Sequence, residues 1–399
     1  MLKLALANSM VETKLVRVTS LPQGAVFHPT REEFADPIKY IASIEKEAAR
    51  TGICKIVPPS GWKPPFAIDL EDEQVTFDTR NQKIHELEEG HAYGDGRVHT
   101  FKSYRASADK FRRRWFHSRG LDPDEMTSDE IEQEYWRIVE SGGPNVEVEY
   151  ANDLDITEVG SGFPRSTKRF ASQANKGKEK VDFNDEEYYR NTGWNLNNLP
   201  DAYGSLLRHL DNYMSSINYH HLGAKKRWYG IPSSDAENFE AAMRTQVPER
   251  FREEPDLLLH LTTMVSPSTL QAKGVEVFTL VQEPGEIILT FPKAYHGGFS
   301  EGFNCNEAVN FVLPNWIDFG RECVEMYQLR RLFHEERDYK KTFIAHGLES
   351  VEELSGDVML DEQSMQVDDL GPSSSSYESD EGRSTSRSTY FLSGTSIRT

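Results

Sequence analysis

The sequence predicts an α+β fold built around a small β-barrel. Residues 215–232 (SSINYHHLGAKKRWYGIP) alternate in the manner of a half-buried strand and continue into a basic and aromatic run. Residues 289–299 (LTFPKAYHGGF) are an apolar strand that ends at a Tyr-His-Gly-Gly turn. Segments with helical spacing of apolar residues precede both stretches. We therefore expect two facing barrel strands, with helices packed around them.

Composition limits the possible classes of protein. The chain has 399 residues, of which 37% are hydrophobic and 11% aromatic, enough for a sizeable core. Its net charge of -20 argues against non-specific DNA binding by the whole chain and favours a basic partner. The three cysteines, Cys54, Cys305 and Cys323, form no CxxC pair, so we expect a reducing compartment without a disulfide framework. No apolar run is long enough for a membrane span, and no secretion signal is evident.

The N-terminal region is predicted to become ordered after a loose leader, residues 1–24. Thr30 and Glu33 have the spacing of a capping box, which predicts a helix over residues 33–51. Gly52 is expected to end this helix before a short strand and a proline-rich turn. The predicted buried face of the helix consists of Phe34, Ile38, Ile41, Ile44 and Ala48.

Residues 95–140 are predicted to be helical, and residues 146–155 (VEVEYANDLD) have the period of a strand. The run Arg112-Arg113-Arg114 has two interpretations, a phosphate-binding patch or the solvated face of a helix. From about Ser350 the composition is dominated by Ser, Asp, Glu and Gly, which predicts a disordered acidic tail.

Four residues of the two central stretches suit a small dicarboxylate that chelates iron at one end, such as 2-oxoglutarate. Lys226 offers a cation, and Ser216 and Asn218 offer polar groups for the far carboxylate. His296 offers one neutral imidazole as a ligand for the iron.

Several motifs allow a resemblance to be stated. Residues 26–87 carry an F-x-P-T-x-x-E-F-x-D-P entry, a G-I-x-K-I-V-P-P strand and a W-x-P-P-F turn, and they closely resemble a JmjN domain. The motifs GSGFP, GWNLNNLP, FPKAYHGGF and GFNCNEAVNF, with residues 216–232, resemble the JmjC catalytic region of the lysine-specific demethylase 5 family. The resemblance covers residues 26–335. It implies a double-stranded β-helix, a cupin-like jelly roll, with the JmjN segment packed against it.

The resemblance also implies a chemistry. Members of this family use Fe(II) and 2-oxoglutarate to demethylate lysine 4 of histone H3 with release of formaldehyde. By motif position, Ser216, Asn218 and Lys226 are expected to contact 2-oxoglutarate, Trp228 to line its pocket, and His296 to be the distal iron ligand. The expected partners are the histone H3 tail and chromatin complexes in the nucleus, without direct sequence-specific DNA binding.

The expected domain organisation has five parts. They are a leader (1–24), the JmjN segment (25–90), a helical and β linker region (91–190), a shortened JmjC region (191–335) and an acidic Ser-rich disordered tail (336–399). The ARID and PHD modules that the family carries between JmjN and JmjC are absent, since only residues 90–97 join the two regions here.

The proximal metal ligands depart from the family pattern. Only residues 201–217 separate Pro200 from Asn218, where the family has a longer block with a Trp-His-x-Glu-Asp strand. One interpretation is that this block is lost together with both proximal ligands. The other is that His209 and Asp211, which have the His-x-Asp form, take the ligand role. Two further positions differ from the family, because His99 stands in place of a Tyr and Ser300 in place of an Asn.

Three functions remain open at this point. The first is a demethylase-class oxygenase, active if His209 and Asp211 reach the iron. The second is a non-catalytic JmjN/JmjC scaffold, or a truncated gene product, that binds chromatin partners without turnover. The third is a metabolic cupin-like barrel, which the JmjN motifs disfavour.

Overall fold

A computed structural model describes residues 21–91, 93–165, 182–199, 214–253, 257, 263–311, 313, 316, 319, 322 and 389–392. The chain divides into two compact units, one made of Met1–Gly320 with Ser386–Thr399 and the other of Arg321–Thr385. The second unit contributes a single described residue, Glu322. None of the helices in the described ranges has the length and apolar composition needed to cross a membrane.

The first unit contains both strands and helices. The strands are β1 (Ala25–Phe27), β2 (Ile53–Ile56), β3 (Phe77–Lys83), β4 (Gly94–His99), β5 (Glu147–Asp155), β6 (Ser215–Gly223), β7 (Lys226–Ile231), β8 (Phe278–Gln282), β9 (Ile287–Thr290), β10 (Tyr295–Ser300), β11 (Asn304–Phe311) and β12 (Thr389–Leu392). The helices are α1 (Pro37–Ala48), α2 (Phe101–His117), α3 (Ser128–Ser141), α4 (Ile156–Val159), α5 (Glu186–Asn191), α6 (Ala236–Gln246), α7 (Pro248–Glu253) and α8 (Pro267–Ala272).

The strands form two sheets. The larger has nine strands in the order β1-β2-β9-β6-β11-β12-β5-β3-β4, and the smaller has three in the order β10-β7-β8. All pairings are antiparallel except that of β1 with β2. Side chains bridge the sheets, since Gln282 of the small sheet donates to the Asn218 carbonyl of the large one over 3.0 Å. The predicted α+β fold with a cupin-like arrangement of sheets is confirmed.

The N-terminal capping box forms, but it does not begin the α-helix. Thr30 N donates to Glu33 Oε2 over 2.8 Å, and Glu33 N donates to Thr30 Oγ1 over 3.2 Å. These bonds close a short 3-10 turn, Glu33–Ala35. Helix α1 starts at Pro37, and its N-cap is Asp36, whose carboxylate accepts from Lys39 N. The predicted continuous helix from residue 33 is therefore wrong, because Asp36 is extended and proline suits the first helical position.

The end of the predicted leader packs against the barrel. Thr279 N donates to the Pro22 carbonyl and Gly24 N donates to the Thr279 carbonyl, each over 3.0 Å. Leu21 is buried in the core. The prediction of a loose leader is therefore wrong for residues 21–24. Residues 1–20 lie outside the described ranges.

The segment predicted to be helical over residues 95–140 begins with a strand. Strand β4 pairs with β3, and its exposed, glycine-rich sequence hides the alternation that strands usually show. The two helices that follow start at capping boxes, Thr100 with Ser103 and Thr127 with Glu130. Within α2, Arg112 pairs with Asp124 over 3.1 Å. Its two arginine neighbours are exposed, as the solvated-face interpretation expects.

Most of the predicted disordered tail lies outside the described residues, but Thr389–Leu392 is described and forms β12. This strand lies between β11 and β5, with Thr389 opposite Ala308 on one side and Asp155 on the other. The prediction of disorder is therefore wrong for these four residues. Composition alone did not indicate them, because the strand takes its backbone partners from segments far away in sequence.

A partly buried carboxylate ties β4 and β5 together. Glu149 accepts from Arg97 Nη2 over 2.6 Å, from Arg97 N over 3.0 Å and from His99 Nε2 over 3.0 Å. The hydrogen bond from the Arg97 side chain is the main reason that the pKa of Glu149 falls to about 2, with the Arg97 backbone and His99 contributing.

We expect Glu149→Gln to destabilise the protein at neutral pH by about 1–3 kcal/mol, because charge-assisted hydrogen bonds are lost. The lowered pKa means that the folded state favours the carboxylate. The stabilisation that the Glu149 carboxylate gives the folded state is therefore fully present above the ordinary glutamate pKa. It is lost as the pH falls from there towards the lowered pKa of about 2. Urea unfolding at several pH values checks this. A difference between wild type and variant that stays constant from pH 7 to pH 3 contradicts it.

Candidate functional site

The site lies on the facing surfaces of the two sheets. Side chains two residues apart on a strand share a face, so Lys226 and Trp228 of β7 point the same way. Strand β10 pairs with β7 such that His296 is opposite Gly230 and Ser300 is opposite Lys226. Lys226, Trp228 and His296 therefore lie on one face of the three-stranded sheet.

Trp228 contacts both functional groups predicted on this face. The Lys226 Nζ atom is 4.5 Å from the centroid of the Trp228 ring, a cation–π distance. The His296 ring centroid is 6.2 Å from that of Trp228, with the rings tilted by 35°. Lys226 is only 7% exposed, so its ammonium has left bulk water for this environment. A buried cation beside an aromatic ring is a strong attractor for an anionic ligand.

Two glycines on the same face allow close packing around it. Gly298 is opposite Trp228, and Gly230 is opposite His296, so neither site ring faces a side chain across the β7–β10 pair. A Cβ atom at Gly298 would lie 2.1 Å from the Arg227 carbonyl oxygen, and one at Gly230 would lie 2.5 Å from Ile53 Cγ1. The missing side chain at Gly298 thus allows β10 to lie close to β7, and the missing side chain at Gly230 allows β7 to lie close to Ile53 of β2.

The two predicted residues of β6 are held by neighbours in the large sheet. Ser216 Oγ lies 2.7 Å from Thr290 Oγ1 of β9. Asn218 Oδ1 accepts from Asn306 Nδ2 of β11 over 2.8 Å. Because Gln282 of the small sheet bonds to the Asn218 backbone and to the Trp228 indole, the two sheets meet at these residues. Gln282 therefore joins Asn218 and Trp228 in one buried network, and Lys226 contacts the Trp228 ring of that network.

Sequence reasoning missed four polar residues of this network, namely His220, Gln282, Thr290 and Asn306. Each is buried. Their strand alternation is visible in the sequence, and it places Thr290 and His220 on the faces they occupy. The cross-strand register that brings Asn306 to Asn218 is not visible in a single sequence, since it follows from pairing between segments 88 residues apart.

His220 carries no charge in this environment. Burial lowers its pKa to about 4, and the nearby Lys226 ammonium acts in the same direction. Its Nε2–H donates to the Leu222 carbonyl over 3.0 Å, so the proton of the neutral ring is on Nε2. The positive charge at this end of the barrel therefore comes from Lys226.

The back of β6 carries a second buried network. His221 Nε2 lies 3.2 Å from Glu307 Oε2, and Glu307 also accepts from Ser161 Oγ and from Gly162 N, over 3.0 and 3.1 Å. Asn197 Nδ2 donates to Ser161 Oγ over 2.8 Å. These bonds attach the GSGFP turn to the sheet on the face of β6 opposite to that of Ser216 and Asn218, so we assign them a structural role.

The two positions where the chain departs from the family differ in their surroundings. His99 lies 3.0 Å from both Ser103 Oγ and Glu149 Oε2, so its ring is engaged within the β4–β5 region. Ser300 is opposite Lys226 in register, and its buried Oγ has no hydrogen-bond partner among the described residues. Ser300 therefore lies on the face of β7 and β10 that carries Lys226, whereas His99 is bonded to Glu149 of β5 and Ser103 of α2.

The described residues offer one of the three iron ligands that a facial site needs. His296 is the predicted distal ligand, and His209 and Asp211 lie outside the described residues. Within the described ranges, the one group of three possible metal ligands in mutual reach is Glu86, Glu89 and His91, a surface cluster away from β7 and β10. The described residues thus fit an anionic ligand such as 2-oxoglutarate, whereas by themselves they do not complete an iron site.

Comparison with known proteins agrees with this architecture. Residues 207–311 match the family described as "JmjC domain, hydroxylase", and residues 25–58 match the jmjN domain. The chain is 37% identical over 377 residues to the lysine-specific demethylase JMJ703 of Oryza sativa subsp. japonica, a match covering 77% of this chain and 29% of that protein. It is 34% identical over 401 residues to the putative lysine-specific demethylase JMJ16 of Arabidopsis thaliana, covering 78% and 32%.

A vertebrate protein is similar as well. The lysine-specific demethylase 5B of Gallus gallus is 38% identical over 260 residues, which cover 58% of this chain and 16% of that protein. The chain spans less than a third of the length of each of these three relatives. By these matches, this chain is a JmjN- and JmjC-domain protein related in sequence to the lysine-specific demethylases.

Proposed function

We propose that this protein is an Fe(II)- and 2-oxoglutarate-dependent histone lysine demethylase of the histone H3 lysine-4 type that keeps its co-substrate pocket but is impaired in turnover. One observation carries the proposal: Lys226, Trp228 and His296 share one face of the small sheet, and Asn218 is joined to them through Gln282. With Fe(II) and O2, 2-oxoglutarate supplies the oxidising power that removes an N-methyl group as formaldehyde.

The pocket suits 2-oxoglutarate because its polar groups are mainly donors. The Lys226 ammonium and the Ser216 hydroxyl can both donate to a carboxylate, and the buried setting strengthens such bonds. The Trp228 ring provides an apolar wall for the carbon chain of the acid. His296 lies on the same face and would supply an imidazole ligand to the metal.

The impairment is proposed from the metal side. One imidazole holds iron weakly, because three fixed ligands are needed to offset the loss of bound water. The match to JMJ703 runs over 377 positions but takes in only 77% of this 399-residue chain, so the relative has positions that this chain lacks. A chain shorter than its relative is what the loss of a block requires, and we propose that the proximal ligands were lost with that block rather than replaced by His209 and Asp211.

We expect the purified protein to release little or no formaldehyde from a histone H3 peptide trimethylated at lysine 4, with Fe(II) and 2-oxoglutarate supplied. The same preparation is expected to bind 2-oxoglutarate in titration calorimetry. Iron stoichiometry after anaerobic reconstitution should be well below one per chain, because the ligand set is incomplete. Robust turnover that is abolished by His209→Ala or Asp211→Ala would show instead that these residues complete the site.

A non-catalytic role in chromatin is the second candidate. The observation favouring it is that the described residues supply one candidate iron ligand, His296, on the face that carries Lys226 and Trp228. The net charge of -20 suits a basic partner such as the histone H3 tail, which would place the protein with chromatin complexes in the nucleus. Binding of the H3 peptide without formaldehyde release, with Fe(II) supplied in excess, distinguishes this role from a slow enzyme.

A further inference from the structure

We propose that Gln282 and Asn306 are positioning residues that turn the amide N–H2 of Asn218 towards the ligand. The site then presents hydrogen-bond donors, and it binds acids only through the oxygen atoms that accept those bonds. The proposal rests on the proposed function, because it concerns the same pocket. It goes further by assigning the polarity of that pocket to two residues that need not touch the ligand themselves.

The orientation of the Gln282 amide is fixed by neighbouring groups that can act only as hydrogen-bond donors or only as acceptors. Its Nε2 lies 3.0 Å from the Asn218 carbonyl oxygen and 3.1 Å from the Glu286 carbonyl oxygen, and carbonyl oxygens only accept. Its Oε1 lies 2.9 Å from Trp228 Nε1, and an indole N–H only donates. Reversing this amide would break all three bonds, so Oε1 must face β7 and β11.

The orientation of Asn306 follows from that of Gln282. The Asn306 atom that lies 3.2 Å from Gln282 Oε1 must be a donor, which makes it Nδ2. The same Nδ2 lies 2.8 Å from the side-chain oxygen of Asn218. Both N–H groups of Asn306 are therefore in use, one for each neighbour.

The orientation of Asn218 follows in turn. Its side-chain atom facing Asn306 Nδ2 must be an acceptor, so Oδ1 is occupied and Nδ2 points away from Asn306. No acceptor for Asn218 Nδ2 occurs among the residues that the structure describes. The amide thus offers donors to the space it shares with Lys226, whose strand partner is Gln282.

Burial makes the hydrogen-bonded chain Gln282–Asn306–Asn218, hereafter called the relay, rigid. Gln282 and Asn306 are both fully buried, and turning over the Gln282 amide would leave the Trp228 indole and two carbonyl oxygens without their partners. Asn306 Oδ1 already lacks a hydrogen-bond partner among the described residues, so this amide is held by the two bonds that its Nδ2 donates. Each unsatisfied buried polar group costs about 1–3 kcal/mol. A relay anchored at the Trp228 indole and two carbonyl oxygens therefore presents one polarity to the ligand.

The test compares Asn306→Asp with Asn306→Ala at pH 8.5. An ionised carboxylate at position 306 only accepts, so Asn218 must turn its N–H2 towards it and present Oδ1 to the ligand. Calorimetry should show 2-oxoglutarate affinity reduced more than about tenfold in Asn306→Asp but less than about threefold in Asn306→Ala. A packing role predicts the reverse order, since aspartate keeps the volume of asparagine and alanine leaves a cavity.

Asn304→Asp serves as the matched charge control. Asn304 is buried on the same strand, opposite Gly223, so this variant adds the same charge without facing Asn218. Its effect on affinity is expected to be clearly smaller than that of Asn306→Asp. Equal losses in the two aspartate variants would mean that added charge alone explains the result, and the proposal would be overturned.

A measurement on the wild-type chain covers the case in which Asn306→Asp does not fold. In a protein labelled with 15N at asparagine, addition of 2-oxoglutarate should shift the side-chain N–H2 resonances of Asn218, assigned through Asn218→Asp. Unshifted resonances in a chain that binds the acid overturn the relay and leave the proposed function standing. If the wild-type chain does not bind 2-oxoglutarate at all, the proposed function fails and the relay with it.

Discussion

Replacing Lys226 with alanine is expected to weaken 2-oxoglutarate binding by more than about tenfold, because a charge-assisted hydrogen bond contributes about 1.5–3 kcal/mol. The ammonium is buried against Trp228, so few solvent molecules compete with the ligand for it. Titration calorimetry measures the change. Lys226→Met should lose a similar amount while keeping an aliphatic chain against the indole, which separates the charge from the packing.

The neighbouring lysine provides a matched control. The side chain of Lys225 is 46% exposed and pairs with Glu283 over 2.6 Å. It also precedes the first residue of β7, outside the pocket face. Lys225→Ala is expected to change the affinity by less than about twofold, as removal of a surface ion pair usually does. Unchanged 2-oxoglutarate affinity in Lys226→Ala would remove the physical support for a dicarboxylate pocket in this chain.

Trp194→Ala is expected to cost about 3–5 kcal/mol of the free energy of unfolding, the range for deletion of a large buried aromatic side chain. Trp194 is 1% exposed and stacks on Phe34, with ring centroids 4.2 Å apart and planes within 8°. Its Nε1–H donates to the Phe34 carbonyl over 2.6 Å. The residue thus attaches the N-terminal segment to the barrel core, and urea denaturation measures the loss.

Two variants separate the components of this effect. Trp194→Phe keeps an aromatic ring near Phe34 but leaves a buried carbonyl without its donor, so a loss of about 1–3 kcal/mol is expected. Trp115→Ala removes a tryptophan that is only partly buried, on α2 beneath Arg119, and should cost less than Trp194→Ala. Equal losses in Trp115→Ala and Trp194→Ala would contradict the assignment of Trp194 as the main attachment.

Sequence reasoning found the elements whose signals are local. Helices α2 and α3 have apolar residues at helical spacing, and both begin at capping boxes, at Thr100 and Thr127. Strand β4 was missed because only His99 at its end is buried, so no alternation marks it. The proline at residue 37 marks the real start of α1 better than the capping box before it does.

The residues of the candidate site likewise divide into those with a local sequence signal and those whose position depends on distant parts of the chain. Lys226 and Trp228 are two residues apart on β7, so their common face follows from the period of a strand. That His296 joins them depends on the register of β10 against β7, which no local pattern determines. The polar residues behind them, Gln282 and Asn306, belong to strands far apart in the chain, and only the three-dimensional structure shows that their amides meet.

The absence of a side chain at Gly298 has a practical consequence. Because the Arg227 carbonyl leaves no room there, the addition of a single methyl group would push β10 away from β7 and carry the His296 imidazole with it. Gly298→Ala would thus disable the pocket while every polar residue remained in place. The Gly298→Ala protein would serve as a negative control in ligand-binding screens, because it keeps every polar residue of the site but displaces His296.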